Sequence, residues 1–364
     1  MDKFGFGCMR LPLLSEKSID IDLKQFEEMV DLYLVNGFSY FDTAYRYHRG
    51  ESENALRKVL VDRYPRDVYQ LADKMPMAIA KSKEDVKKIF ADQMNKLNVD
   101  HFDYYLLHNI KEDTYQNVLS TDGFSFLRRI KEEGLAKHVG FSFHGTPALL
   151  EEVLSKHHQD IEFVQLQINY LDWDSISIQA KKNYEIARKY DKKIFVMEPV
   201  KGGQLARLPE EAEQLFRGYD PDRSNASYAL RFAAGLNGVE RVLSGMHSLD
   251  QLQDNISFMK DPLPLNEKEL ALIEQVKQII YSKEKIQCTA CGYCVEGCPM
   301  KIAIPDMFDL YNYHHQQNTY ELVLFRGSGK ASDCIKCGAC EAACPQHLKI
   351  RDYLSDLIVP KFEV

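Results

Sequence analysis

The chain has 364 residues, 45% of them hydrophobic, which is enough to build a core and too many for a disordered chain. Its net charge is −8, with Lys and Arg scattered among Asp and Glu, so no basic stripe is present to hold the phosphates of a nucleic acid. No stretch approaches the ~20 apolar residues of a membrane span, and MDKFGFGCMRLP lacks a charged-then-apolar leader pattern, so a cytoplasmic protein is expected. From the start to about residue 262, short β-rich runs alternate with stretches of helical apolar spacing. Phe4 to Met9 is the first strand, and SYFDTA, DVYQLADK, FDYYLLH, KHVGFSF, EFVQLQIN, KIFVMEP and ERVLSGM follow. The helical stretches are Leu23 to Val35, Glu51 to Val61, Lys83 to Leu97, Val118 to Glu133, Pro147 to Lys156, Ile176 to Lys189, Asn225 to Gly235 and Leu249 to Phe258.

Apolar strands alternating with amphipathic helices imply a parallel sheet buried on both faces. Eight such units in about 260 residues predict an α/β chain folded as a closed (β/α)8 TIM barrel. The rival is an open doubly wound sheet, but no GxGxxG follows the first strand. In DPLPLNEKEL two prolines end one element, and Asn266 with Glu269 forms a capping box for a helix to about Ile280. The expected domains are therefore residues 1–280 and 281–364.

Eight of the nine cysteines fall after residue 287, which argues for metal rather than scattered disulfides. Cys288, Cys291, Cys294 and Cys298 stand in CTACGYCVEGCP, and Cys334, Cys337, Cys340 and Cys344 in CIKCGACEAACP. Both read C-x2-C-x2-C-x3-C-P, the bacterial ferredoxin run, in which the cysteine before proline ligates the other cluster. Two [4Fe–4S] clusters are expected, one on Cys288, Cys291, Cys294 and Cys344, the other on Cys334, Cys337, Cys340 and Cys298. A zinc site would instead use two CxxC pairs separated by a long gap. Residues 281–364 thus read as a small ferredoxin-like iron–sulfur domain. Between the quartets MFDLYNYHHQQNTYELVLF looks partly helical, and His314 and His315 are expected at its surface. The ninth cysteine, Cys8, is expected to be a small buried residue.

In a barrel, chemistry sits at the C-terminal ends of the strands. Asp42 ends SYFDTA, Lys74 ends YQLADK, His108 ends YYLLH, and Tyr47 follows Asp42 in the loop above the same strand. A strand-end Asp often caps the next loop and a lone Lys is usually solvated. All four at corresponding ends of neighbouring strands are less easily read as structural.

These segments carry a resemblance. DTAYRYHRGESENAL, LADK and LLHN resemble the signature segments of the aldo-keto reductases, and GFSFHG, FVQLQINY, MEPVKGGQL and SGMHSLDQLQDN match later segments in order. The appended quartets resemble a branch of that family with a ferredoxin-like C-terminus. The resemblance implies a nicotinamide-dependent oxidoreductase that reduces an aldehyde or ketone, or oxidises the alcohol. It implies Tyr47 as general acid, Lys74 paired with Asp42 lowering the Tyr47 pKa, and His108 orienting the carbonyl. An adjacent ammonium favours a phenolate, which gives that assignment a chemical sense.

The resemblance also implies contacts for NADH or NADPH. Ser142 and Gln165 would hold the nicotinamide carboxamide, although the family's usual Asn after that serine is here Phe143, followed by His144. Met197 would cover the ring, with Pro199 beside it. Gly202, Gly203 and Leu205 would bring backbone amides to the pyrophosphate, near Lys201. Met9 and Arg10 would border the pocket, Arg10 either drawing an anionic substrate or pairing with a carboxylate. At the adenosine end Gly245 and Gln251 stand where NADPH-specific members carry cations, while Ser248 and Asn255 can hydrogen-bond. NADH is therefore expected to serve at least as well as NADPH, with Arg241 and Arg223 the nearby cations. The substrate would be a small carbonyl or alcohol, selected by loops around residues 110–123 and 206–223. Two other functions compete. One is an electron-transfer protein coupling the clusters to a redox partner, with the barrel as docking body, and the other is a non-catalytic nicotinamide sensor.

Overall fold

The computed structural model describes residues 3–15, 18–283, 286–317 and 329–358. Eight parallel strands close into a barrel in sequence order: β1 (Phe4–Gly7), β2 (Tyr40–Asp42), β3 (Gln70–Pro76), β4 (Phe102–Ile110), β5 (Ala136–Phe143), β6 (Phe163–Gln167), β7 (Lys193–Met197) and β8 (Val239–Gly245), with β8 pairing back onto β1. The helices are α1 (Leu23–Val35), α2 (Ser52–Leu56), α3 (Lys83–Leu97), α4 (Glu112–Ser120), α5 (Gly123–Glu132), α6 (Pro147–His157), α7 (Ala180–Lys189), α8 (Glu210–Tyr219), α9 (Asn225–Gly235), α10 (Leu249–Met259), α11 (Glu267–Lys283), α12 (Tyr293–Glu296), α13 (Ile304–Gln317), α14 (Ala339–Ala343) and α15 (Ile350–Ile358). None of the described helices is long and apolar enough to cross a membrane.

Side-chain alternation along the strands builds the barrel interior in layers. Tyr40, Ala72, Tyr104, Leu106, Phe163, Phe195 and Leu243 form one buried cluster. In it Phe163 stacks on Phe195 at 4.4 Å between ring centroids, and Tyr40 meets Tyr104 edge-on at 5.2 Å. A side chain at Gly140 would collide here, since its Cβ would lie 2.4 Å from the Phe163 carbonyl oxygen. Two residues further along the same strands come Asp42, Lys74, Gln165, Met197 and Gly245, and His108 follows Leu106 on β4. The aromatic layer is thus the floor on which the polar layer stands.

Several helices depart from their sequence-based bounds for local reasons. The stretch Val118 to Glu133 is two helices, α4 and α5, because Asp122 takes a left-handed φ of 58° between them. Gln179, at φ 52°, likewise delays the start of α7 to Ala180. Both segments expected as substrate loops contain helices, α4 in the first and α8 in the second.

The chain divides into two compact units. One comprises residues 1–175, 179–199 and 226–265 and contains the barrel. The other comprises residues 176–178, 200–225 and 266–364. In the second unit α8 packs on α11, and Asn266 Nδ2 donates to the Tyr219 hydroxyl at 3.0 Å. The capping box forms reciprocally, Asn266 N to Glu269 Oε2 at 2.8 Å and Glu269 N to Asn266 Oδ1 at 3.0 Å. Ile286, Val295, Ile302, Ile304, Met307, Phe308, Ile350 and Leu354 bury together with Cys294, Cys298, Cys340 and Cys344, so the cysteines lie inside an apolar core. His314 and His315 fall in α13, and their side chains lie outside the described residues.

Candidate active site

The polar layer is built around a buried lysine. Lys74 is fully buried, and its Nζ donates to Asp42 Oδ1 and to the Thr43 carbonyl, each at 2.6 Å. It also donates to the Tyr47 hydroxyl at 3.4 Å. The His108 ring meets that of Tyr47 edge-on at 5.9 Å between centroids. The structure therefore brings Asp42, Tyr47, Lys74 and His108 to one point at the strand ends.

Burial dominates the electrostatics of this layer. The Tyr47 phenol is pushed well above its ordinary value, first by burial and then by the carboxylates of Asp42 and Glu198. The Lys74 ammonium lies 3.4 Å from the hydroxyl and closer to Asp42 and the Thr43 carbonyl. Tyr47 consequently holds its proton at neutral pH. Burial also raises the Asp42 carboxyl, opposed by Lys74. His108 is held well below the usual histidine range by burial and by the neighbouring Lys74 charge, so its imidazole is neutral.

The expected carboxamide contacts also come together. Ser142 is buried, and its Oγ accepts from the Asn109 backbone N–H at 2.8 Å. Gln165 reaches the Met197 sulfur through Nε2 at 3.6 Å, while its Oε1 is buried without a hydrogen-bond partner. Asn109 Oδ1 is a second such acceptor. A primary carboxamide has the N–H groups that these two oxygens lack, so the residues present fit a nicotinamide. Asn109 was not singled out from sequence. Its left-handed φ of 61° after His108 is a tertiary feature with no sequence periodicity.

Other expected contacts are placed differently. Arg10 pairs with Glu198 at 3.1 Å, as the second of its two readings had it. Its Cβ lies 3.3 Å from where a side chain at Gly245 would begin, so the pair spans the end of β8. Asn169 Nδ2 donates to the Glu198 carbonyl at 3.0 Å and to Asp172 Oδ2 at 2.8 Å, holding Glu198 at its left-handed φ of 56°. Met9 is half-buried and Pro199 buried. Asn255 is turned into the barrel wall, donating to Ser244 Oγ at 2.8 Å. Ser248 caps α10, accepting from Gln251 N at 3.3 Å, and Gln251 Oε1 accepts from His247 N at 3.0 Å.

Of the two cations considered for the adenosine end, Arg241 donates to Gln70 Oε1 at 3.0 Å, at the start of β3 and hence the opposite end of the barrel. Arg223 pairs with Asp220 at 2.7 Å. Gly202, Gly203 and Leu205 belong to the second unit. There Gly203 N and Leu205 N both donate to the Val200 carbonyl, at 3.0 and 3.1 Å, so two of the three amides expected at a pyrophosphate are already bonded. Gly202 instead makes room for Thr289, whose carbonyl oxygen would lie 2.3 Å from a Cβ. Lys201 is buried and donates to Gln346 Oε1 at 3.2 Å. Cys8 is buried, and burial pushes its thiol up.

In the second unit the cysteines group in crossed sets. Cys288, Cys291, Cys294 and Cys344 line one pocket, and Cys298, Cys334, Cys337 and Cys340 line another. Among the described residues no three His, Cys, Asp or Glu side chains converge tightly enough for a single metal ion. Four thiols spread around a wider space suit a cubane, whose cysteines reach separate iron corners. The backbones of the two quartets repeat each other. Ala290 and Lys336 (φ 52° and 57°), Gly292 and Gly338 (83° and 80°), and Lys301 and His347 (52° and 54°) are left-handed at matching offsets from Cys288 and Cys334. The Ala290 N–H donates to Cys288 Sγ at 3.4 Å. The donor set and its wrapping backbone fit iron–sulfur clusters.

Comparison with known proteins agrees with this geometry. Residues 3–278 match the family model of the aldo/keto reductases, and residues 287–348 that of a 4Fe-4S dicluster domain. The chain belongs to the aldo/keto reductase family and carries a C-terminal 4Fe–4S dicluster domain. It is 24% identical over 313 residues to the uncharacterized oxidoreductase YqkF of Bacillus subtilis, covering 78% of this chain and 96% of that protein. Aldo-keto reductase AKR11C1 from Bacillus halodurans, in its holo form, is 25% identical with a TM-score of 0.61, over 75% of this chain and 91% of that one. An aldo-keto reductase from Klebsiella pneumoniae in complex with NADPH shares the fold at 16% identity and a TM-score of 0.59, over 76% of this chain and 90% of that one.

The loop that carries Tyr47 has its own pH sensitivity. His48 Nε2 accepts from the Leu11 backbone N–H at 3.0 Å, joining this loop to the segment after β1. Burial lowers its imidazole from 6.5 to about 4. The folded state therefore binds this proton less readily than the unfolded chain, so stability is whole above about pH 6.5 and is lost progressively as pH falls toward 4. His48→Gln keeps an acceptor that does not titrate. Urea melts of the two proteins across this window are expected to show a shallower acid loss in the variant, and parallel pH slopes would contradict the assignment.

Proposed function

We propose that this chain is a cytoplasmic, nicotinamide-dependent oxidoreductase that reduces a small aldehyde or ketone, or oxidises the corresponding alcohol, and carries two [4Fe–4S] clusters in the region after about residue 280. The observation that carries the reading is the buried ammonium of Lys74, held by Asp42 at 2.6 Å and reaching the Tyr47 hydroxyl at 3.4 Å. A bound NADH or NADPH supplies hydride to the carbonyl carbon. Tyr47, protonated at neutral pH, gives its proton to the carbonyl oxygen. Lys74 stands ready to stabilise the phenolate that remains, in a site where water does not screen it. Asp42 and the Thr43 carbonyl hold the ammonium in place. Neutral His108 directs an N–H toward the carbonyl oxygen and fixes its orientation. Gln165 and Asn109 accept the N–H groups of the nicotinamide carboxamide beside Ser142, so Asn109 takes up work left vacant by Phe143.

Both dinucleotides fit this reading, with NADH used at least as well as NADPH. Gly245 and Gln251 provide no cation for a 2′-phosphate, Arg241 lies at the other end of the barrel and Arg223 is committed to Asp220. A second reading has a specific observation behind it. Cys337 is exposed, as is its neighbour Ile335, so the second quartet lies near the surface. A cluster there is placed to exchange single electrons with a redox partner protein.

Tyr47→Phe is expected to abolish reduction of any accepted aldehyde while leaving the visible absorbance of the clusters intact, and undiminished turnover would reject Tyr47 as the acid. Turnover of the wild-type protein with each dinucleotide is expected to give NADH at least parity. A preference of about 100-fold for NADPH, near 2.7 kcal/mol, would require a phosphate site that these residues do not supply. For the electron-transfer reading, NADH is added anaerobically to oxidised protein without substrate or partner. Rapid bleaching of the clusters favours that reading, and unchanged spectra leave the clusters as structural supports.

A further inference from the structure

The strand that delivers Lys74 loses its neighbour just before the lysine. Pairing of β2 with β3 ends at Asp42 and Ala72, and the Thr43 N–H closes the ladder on the Ala72 carbonyl. Lys74, two residues on, turns its own N–H and C=O to the same vacated edge. Side chains take the place of the missing strand. Asp73 Oδ1 accepts the Lys74 N–H at 2.8 Å, and Gln93 Nε2 donates to the Lys74 carbonyl at 3.1 Å. Gln93 is itself held by the Tyr105 hydroxyl, which donates to its Oε1 at 2.5 Å.

Behind this clamp lies an acid that the reducing chemistry does not use. Glu53 on α2 is fully buried, as is Asp73. Lys96 on α3 pairs with Glu53 Oε2 at 3.1 Å. The remaining oxygens, Asp73 Oδ2 and Glu53 Oε1, are buried without a hydrogen-bond partner, while the Gln93 amide also interacts with the Glu53 carboxyl. Yet the two carboxyl groups lie within hydrogen-bonding reach of each other. Two buried carboxyl groups within reach of each other are both satisfied when one proton lies between them. Lys96 also meets Asp92 at 3.2 Å, so its one ammonium would face three carboxylates if neither member of the buried pair held a proton.

We propose that Glu53 and Asp73 share one proton and that this carboxyl pair, with Gln93, is a positioning device that sets where Lys74 stands beneath Tyr47. Burial raises both carboxyls, and their mutual repulsion raises Asp73 further. The charged and titratable groups around the pair are Lys74 on β3, Tyr105 on β4, Lys96 and Asp92 on α3, and Tyr45 in the loop after β2, whose ring lies 4.1 Å from Lys96 Nζ. The inference deepens the reading of Lys74 and Tyr47 as reducing machinery, but the shared proton itself does not depend on that reading.

The test has two arms on the full-length protein with its clusters. Infrared difference spectra at pH 7 are expected to contain a protonated-carboxyl band that is absent from both Asp73→Asn and Glu53→Gln. If the wild-type spectrum contains no such band, the shared proton is refuted, whatever the enzyme does. In the kinetic arm, Asp73→Asn keeps the acceptor for Lys74 and puts an N–H in place of the proton, so kcat should match the wild type. Asp73→Leu removes both, and a displaced lysine should lower kcat by about 100-fold and move the pH profile of kcat, with dinucleotide affinity unchanged. If Asp73→Leu does not fold, Glu53→Leu removes the other half of the pair and is read the same way. Wild-type kcat and an unshifted profile in the leucine variant overturn the positioning role. Loss of activity in Asp73→Asn equal to that in Asp73→Leu also overturns it. If Tyr47→Phe stays active while the infrared band is present, the reducing assignment fails and the shared proton stands.

Discussion

The barrel depends on holding one lysine side chain where water cannot reach it. A lone charge so buried would cost several kcal/mol. Lys74 is held instead by a carboxylate and a backbone carbonyl, both at 2.6 Å. Asp42 ends β2, Thr43 follows it, and Lys74 lies on β3, so the arrangement exists only when these strands pair in register. The aromatic layer beneath, from Tyr40 to Phe195, fixes the height of the strands and closes the barrel to solvent from below. Closure gives the polar layer its chemical character. It raises the Tyr47 phenol and holds the His108 imidazole well below the usual histidine range.

The outer side of the same strand answers the same constraint. β3 outruns β2, leaving the Lys74 peptide without a strand partner. Asp73 and Gln93 satisfy it, and Glu53 and Lys96 in turn support Asp73. The alternation that sends Lys74 inward sends Asp73 outward, so one dipeptide serves both faces of the barrel wall. The lysine is located by packed groups on both sides rather than by its ion pair alone.

The second unit solves a different problem. Its helices are short, and four of its cysteines belong to its apolar core alongside Phe308, Ile350 and Leu354. The same left-handed positions recur in each quartet, with glycine at the one nearest the middle thiols. Repeating one local conformation produces two pockets, and the crossing of Cys298 and Cys344 ties the repeats together. The segment Lys201 to Ala206 is part of this unit. Gln204 donates to the Cys288 carbonyl at 3.0 Å, and the Gly202–Thr289 packing accounts for a glycine that sequence comparison alone would assign to a dinucleotide.

Much of this was legible along the chain because it is written in local period and spacing. Strand alternation placed Asp42, Lys74 and His108 on one face, and the helices Leu23–Val35, Lys83–Leu97 and Asn225–Gly235 have the bounds their apolar spacing implied. The cysteine spacing anticipated the crossed grouping of the thiols, since three in seven residues leave the fourth free to reach elsewhere. What tertiary structure alone decided are partnerships across elements. The Thr43 carbonyl has no side-chain signature, and the fate of Arg10 turned on Glu198 at the end of a distant strand. The left-handed positions at Asn109 and Asp122 carry no periodic signal, although Asn and Asp adopt that conformation more readily than most residues. The partnership of Glu53 with Asp73 joins a residue of α2 to one of β3. Spacing along a chain determines which way a side chain points, and only the packed structure determines what it meets there.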